Sequence, residues 1–269
     1  MTTNDSVFNG SIPEIYDEYL VPLIFEDYAD DLADRVVSVT PTSVLELAAG
    51  SGVVTRALAP RLSPSSRYMV TDLNQSMLDR ASSVQPPDDR IEWRQADALD
   101  LPFDDDSFDV VVCQFSVMFF PDKVAGYSEA RRVLRPGGLF VFNVWDDIES
   151  NVFSDLVTQA AVAEFPDDPP MFLARTPHGY HDIELIRADV KAAGFSDISI
   201  ETLEKVSSAP TARHPAIGYA QGTPLRNEIE ALGPSALELV TERASQMLAA
   251  RFGDGPVSAS MRGHVVSAS

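Results

Sequence analysis

The chain has 269 residues, 45% of them hydrophobic and 23% charged, which supports a substantial core and excludes wholesale disorder. Forty-one acids against 20 bases leave a formal net charge of −21, a surface that repels phosphate backbones and anionic lipid and so argues against nucleic acid or a membrane as partner. No apolar run approaches the roughly 20 residues of a membrane span, "MTTNDSVFNG" lacks the basic and apolar regions of a secretory leader, and the single cysteine, Cys113, precludes an internal disulfide; a cytoplasmic protein is expected.

Residues 1–42 are read as an N-terminal helical lid segment. Their apolar positions fall at irregular helical spacing around Pro22, so two short helices are expected there. From Ser43 to Trp145, short apolar runs alternate with amphipathic stretches. The runs, at 43–48, 67–72, 91–96, 108–115 and 138–145, are continuous, not alternating, as in strands covered on both faces. Between them lie helix candidates: "GVVTRALAPRL", "NQSMLDRASSV" with Asn74 as N-cap, and "KVAGYSEARRVL" ended by "RPGG". This order predicts an α/β fold with a doubly wound, mostly parallel sheet.

After Trp145 the alternation fails. Pro166, Pro169, Pro170 and Pro177 mark a loop-rich insertion over about 150–182, followed by a helix capped by Asp182 and ending at Gly194. A strand is expected at 197–206. Helix broken at Gly233-Pro234 fills a second insertion, about 208–256, and "SASMRGHVVSAS" reads as a terminal strand. Residues 43–269 are thus taken as one domain carrying two insertions.

The loop "AAGSG" falls at the carboxyl end of the first strand, where open α/β sheets bind their ligands, and Gly50 and Gly52 allow close backbone approach. Asp72 ends the second strand, 20 residues beyond Gly52, and a carboxylate there can accept from both hydroxyls of a ribose. A dinucleotide turn would carry a third glycine where Thr55 stands, and Glu46 beside the loop would repel a pyrophosphate. A ligand bearing an ammonium and a sulfonium would welcome that acid. S-adenosylmethionine carries both.

The chain resembles the class I S-adenosylmethionine-dependent methyltransferases, in the style of the group containing the ubiquinone/menaquinone C-methyltransferases. "VLELAAGSG", "VTDLNQSML", "QADALDLPFDDDSFDVVVCQF" and "RVLRPGGLFVFNVW" follow the family's motifs in order from Val44 to Trp145. The resemblance implies a Rossmann-like, seven-stranded, mostly parallel sheet with helical lid insertions. It also implies a donor site of Glu46, Ala48, Gly50, Gly52, Asp72, Leu73, Met77, Asp97, Ala98 and Gln114. In it Asp72 would hold the ribose, Asp97 would accept from the adenine amino group, and Gln114 would lie beneath the donor. Ala48 departs from the family's glycine, and is expected to be tolerated if its torsions are extended.

On the acceptor side, the insertion segment "TPHGYHD" offers His178, Tyr180 and His181 as candidate acid–base groups, with the alternative that they shape a turn. Tyr16, Tyr19 and Tyr28 are candidate lid residues over the donor, or simply core aromatics. His214 and His264 are read as structural, Cys113 as a buried strand residue, and the scattered histidines as no metal site. The expected activity is methyl transfer to a small-molecule acceptor. The rivals are a non-catalytic S-adenosylmethionine binder and a nicotinamide-dependent oxidoreductase.

Overall fold

A computed structural model describes residues 12–269. The first eleven residues of the expected lid segment, and the leader reading with them, lie outside the described residues. The chain begins with helix α1 (Ile12–Ile15), a ten-residue π-helical stretch (Tyr16–Phe25) and α2 (Glu26–Ser38). Helical structure therefore runs through Pro22, where a break was expected. A proline has no N–H to donate and its ring crowds the carbonyl four residues back; the wider i→i+5 turn moves that carbonyl aside.

The alternating segment then gives β1 (Ser43–Glu46), α3 (Val53–Leu58), β2 (Arg67–Asp72), α4 (Gln75–Val84), β3 (Ile91–Gln95), β4 (Phe108–Gln114), α5 (Lys123–Val133) and β5 (Leu134–Trp145). β5 starts four residues before its predicted position, because "RPGG" is taken into the strand with Gly137 at φ 78° and a register shift opposite Phe108 and Val110. Next come α6 (Val152–Glu164), α7 (Phe172–Arg175), α8 (Ile183–Ala192), β6 (Ile198–Ala209), α9 (Arg213–Gln221), α10 (Leu225–Ala231), α11 (Ala236–Phe252) and β7 (Val257–Ala268).

Seven strands form one sheet in the order β3-β2-β1-β4-β5-β7-β6, and every pairing from β3 to β5 is parallel. The order reverses between β1 and β4, the switch point at whose carboxyl side this kind of sheet binds ligands. Val44, Leu45, Val70, Val110, Val111 and Val112 are fully buried, which explains why their strands read as unbroken apolar runs.

The chain divides into two compact units. One holds Glu26–Val144, His181–Thr202 and His264–Ser269. Here α2 packs on α3 and β4, and α5 packs on α8. The other holds the described residues up to Phe25, Trp145–Tyr180 and Leu203–Gly263, built on contacts of α11 with α9 and α6 and of α9 with the π-helical stretch. The expected lid segment is thus parted at Phe25, and its second helix belongs to the unit that carries the parallel strands. No helix among the described residues is long and apolar enough to cross a membrane.

Candidate active site

The turn from β1 to α3 is Leu47–Gly52, and three of its residues take left-handed backbone: Ala48 at φ 50°, Gly50 at 57° and Gly52 at 83°. A Cβ on Gly50 would meet open space, so the backbone there is exposed to an approaching ligand. A Cβ on Gly52 would stand 2.9 Å from the Ala81 Cβ of α4, so that glycine is required by packing as well as torsion. Ala48 does not have the extended torsions on which its tolerance was conditional. It adopts the conformation of the glycine it replaces, at a strain of about 1 kcal/mol.

Asp72, 6% exposed, closes β2 over this turn. Its Oδ2 accepts from the Gly50 N–H at 2.8 Å, and its Oδ1 accepts from the Asn74 N–H at 2.7 Å. Asn74 also donates its Nδ2 to Oδ1 at 3.4 Å; as N-cap of α4 it makes no side-chain cap bond, so its side chain serves the carboxylate and not the helix. Burial pushes the Asp72 carboxyl above its usual range, against those backbone and side-chain donors. Each carboxylate oxygen has roughly two acceptor directions, so Oδ2, with one donor, retains one for a ligand hydroxyl, and Oδ1 offers another where the long 3.4 Å bond from Asn74 Nδ2 gives way.

Around it, Leu73 is an exposed apolar side chain, 51% accessible, whereas Met77 is buried. Asp97 is exposed, its Oδ1 accepting from the Leu99 N–H at 2.9 Å, and Ala98 beside it is half-buried. Gln114 ends β4 half-buried, in register with Asn143 of β5.

Glu46, 1% exposed, lies beneath the turn. Its Oε2 accepts from the Tyr68 hydroxyl and from the Thr55 hydroxyl, the latter at 2.7 Å. Burial pushes its carboxyl up to about 7, opposed by these two donors and by the Arg56 charge. The partners that hold this acid are therefore two protein hydroxyls. Thr55 occupies the position of the absent third glycine, and its hydroxyl is what that substitution supplies.

A further group at the switch point had no signal in the sequence. Phe115, after β4, has φ 44°, and its N–H donates to Asn143 Oδ1 at 2.7 Å. Its ring meets Tyr28 edge-on, with centroids 4.9 Å apart. The Ser116 hydroxyl lies 2.9 Å from the Gln114 carbonyl and 3.3 Å from that of Ala48. Tyr28, a candidate lid residue, is wholly buried as a core aromatic of this unit.

His178 is 5% exposed, and its two ring nitrogens are engaged within its unit. Nδ1 lies 2.8 Å from the Asp146 carbonyl, which can only accept, so Nδ1 carries the proton; Nε2, 2.9 Å from Ser154 Oγ, then accepts from that hydroxyl. This arrangement gives His178 a structural place and leaves no ring nitrogen directed at an acceptor. Tyr180 is buried in the same unit, and His181 is an exposed residue of the other. His178→Ala strands the buried Ser154 hydroxyl and is expected to lower the unfolding free energy by about 2 kcal/mol. Denaturant unfolding checks that loss, and donor affinity measured alongside it is expected to stay at the wild-type value. Tyr16 stacks on Phe25 at 5.0 Å, and Tyr19 packs against His214 at 4.7 Å while its carbonyl lies 3.2 Å from His214 Nε2. His264 lies 2.9 Å from the Thr202 hydroxyl. Among the described residues, no three His, Cys, Asp or Glu side chains are grouped to hold a metal ion.

The glycine turn, the strand-end acid and the parallel switch point coincide with a known pattern: residues 45–142 match the family described as a methyltransferase domain. These residues are a methyltransferase domain. The chain is 40% identical over 106 residues to demethylmenaquinone methyltransferase of Clavibacter sepedonicus, covering 39% of this chain and 42% of that one. It is 41% identical over 166 residues to the ubiquinone/menaquinone biosynthesis C-methyltransferase UbiE of Hahella chejuensis, covering 57% of this chain and 66% of that one. The matches thus span between two fifths and two thirds of these relatives' length. A structure of Haemonchus contortus phosphoethanolamine N-methyltransferase 2 in complex with S-adenosyl-L-methionine shares the fold, with TM-score 0.57 and 19% identity over 95% of this chain and 56% of that one.

All ten expected donor-site residues, from Glu46 to Gln114, fall inside the methyltransferase domain. The acid–base candidates and the lid tyrosines fall outside it. Asn143 lies immediately beyond its matched end.

Proposed function

We propose that this chain is an S-adenosylmethionine-dependent methyltransferase acting on a small-molecule acceptor, working in the cytoplasm. The observation that carries the reading is Asp72, buried at the end of β2, bonded to the Gly50 N–H through Oδ2 and still able to accept from a ligand hydroxyl there, with Oδ1 available where it exchanges the long Asn74 Nδ2 bond for a second hydroxyl. The residues present fit such a donor: Gly50 is open where a Cβ would stand, and Leu73 exposes an apolar surface next to the acid.

In this reading Asp72 holds the ribose hydroxyls, and the turn from Ala48 to Gly52 lies along the amino-acid portion. Leu73, Met77 and Ala98 flank the adenine, Asp97 accepts from its amino group, and Gln114 lies under the donor. Bound there, the donor supplies an electrophilic methyl on a sulfonium, so the protein's task is to orient two reactants and exclude water. The only cysteine, Cys113, is wholly buried in β4 and is given no redox task. Catalytic assistance from Tyr180 or His181 stays part of the proposal; the bonding of His178 makes it the weakest of the three. The lid and acceptor roles are assigned to the segments outside the domain, residues 1–42, 150–182 and 208–256.

A small acceptor is supported by the relatives, a demethylmenaquinone methyltransferase and a ubiquinone/menaquinone biosynthesis C-methyltransferase, and a net charge of −21 disfavours a polynucleotide. Incubation with methyl-labelled S-adenosylmethionine and a panel of quinols, phenols, amines and carboxylic acids tests the reading. Label transfer to one small acceptor, with release of S-adenosylhomocysteine, is the expected outcome. Tight donor binding with no transfer to any of them would favour the non-catalytic binder.

A further inference from the structure

We infer that Asn143 is a positioning residue for the methyl-donor site, an inference that rests on the function proposed above. Asn143 is completely buried in β5. Its Oδ1 accepts from the Phe115 N–H at 2.7 Å, which fixes the orientation of the carboxamide. Its Nδ2, equally buried, finds no hydrogen-bond partner among the described residues. A buried amide donor left without a partner is a net cost to the fold, so an apolar side chain of the same size would pack there more favourably. What the carboxamide contributes is the bond to Phe115.

That bond holds an uncommon backbone. A bulky residue at φ 44° is outside its ordinary range and persists only where surrounding contacts determine it. Besides Asn143, these contacts include the edge-on packing of the Phe115 ring on Tyr28 and the Ser116 hydroxyl between the carbonyls of Gln114 and Ala48. Ala48, on the other side of the switch point, is left-handed as well. Asn143 therefore sets the conformation of the loop after β4, and through Ser116 the spacing between that loop and the glycine turn. It acts on the donor through Phe115 and Ser116 and does not itself touch it.

Titration of S-adenosylhomocysteine into the full-length wild type, Asn143→Leu and Asn143→Asp separates this role from packing. Leucine keeps the branched shape and removes the acceptor oxygen; aspartate keeps the oxygen. Asn143→Leu is expected to weaken binding about tenfold and Asn143→Asp no more than about threefold, the worth of one hydrogen-bonded conformational constraint. Leucine binding within about twofold of wild type, or an equal loss in both variants, overturns the inference. If Asn143→Leu does not fold, Phe115→Gly and Phe115→Ala decide: both delete the ring, and only glycine adopts positive φ without strain. Tighter binding by glycine supports the inference, and equal or weaker binding overturns it. A wild type that does not bind would remove the donor-site reading and this inference together, whereas a binding wild type with an indifferent Asn143→Leu removes this inference alone.

Discussion

Asp72→Ala is expected to weaken binding of S-adenosylmethionine and S-adenosylhomocysteine by about 10²–10⁴-fold, the loss of two charge-assisted hydrogen bonds worth about 1.5–3 kcal/mol each. The change also releases the Gly50 N–H and the Asn74 N–H, the bonds by which Asp72 joins the glycine turn to the start of α4. Asp72→Asn separates the two effects. An asparagine can still accept one backbone bond but has no charge to offer a ribose, so its affinity is expected to fall well below wild type while its unfolding midpoint moves less than that of the alanine variant. Calorimetric titration reads the affinities, and a Kd for Asp72→Ala within about threefold of wild type would remove the ribose assignment.

The second large effect is on stability against pH. The Glu46 carboxyl, buried under the glycine turn, is pushed up from the ordinary 4.5 to about 7. A carboxyl raised in the folded state contributes its stability fully below its unfolded pKa and loses it as pH rises through the folded value. The span from 4.5 to about 7 corresponds to about 3 kcal/mol lost between mildly acidic and neutral pH. Asp72 is raised too, by burial, and contributes in the same direction. Glu46→Gln isolates the Glu46 share, since glutamine stays neutral and its carbonyl can still accept from Tyr68 and Thr55. The unfolding free energy of wild type is expected to drop more steeply than that of the variant between pH 4.5 and 7.5. Parallel slopes would show that Glu46 ionises in the fold no differently from an exposed glutamate.

The central sheet was legible because β1, β2, β4 and β5 are largely covered on both faces and read as apolar runs. β3, at the sheet edge, alternates exposed Glu92 and Arg94 with half-buried Ile91 and Trp93 and is not the continuous run expected. α6 was not. It buries Phe153, Leu156, Val157, Ala160 and Ala161 together with Ser154 and Thr158, so no polar stripe marks its period, and the prolines that follow it suggested loops. Pro22 suggested a helix break because the sequence does not reveal a π-helical register. At the site, Gly50, Gly52 and Asp72 could be singled out, because torsional freedom and a strand-end carboxylate are properties of single residues. The bonding of Glu46 to Tyr68 and Thr55 and the hold of Asn143 on Phe115 each join separate elements, and no local pattern encodes them. The surroundings of His178 were illegible for the same reason. A histidine in a polar cluster looks available until the chain folds and Ser154 and the Asp146 carbonyl occupy its ring.

The choice between donor classes is the central claim, and it rests on Asp72 beside a glycine turn that lacks its third glycine; Glu46, buried and held by Tyr68 and Thr55, does not face a ligand as the sequence suggested. Titration of the wild-type chain with S-adenosylmethionine, S-adenosylhomocysteine and NAD tests it most directly. The first two are expected to bind saturably at one site per chain, with no heat of binding from NAD. Saturable NAD binding with no response to either sulfur ligand would contradict the account.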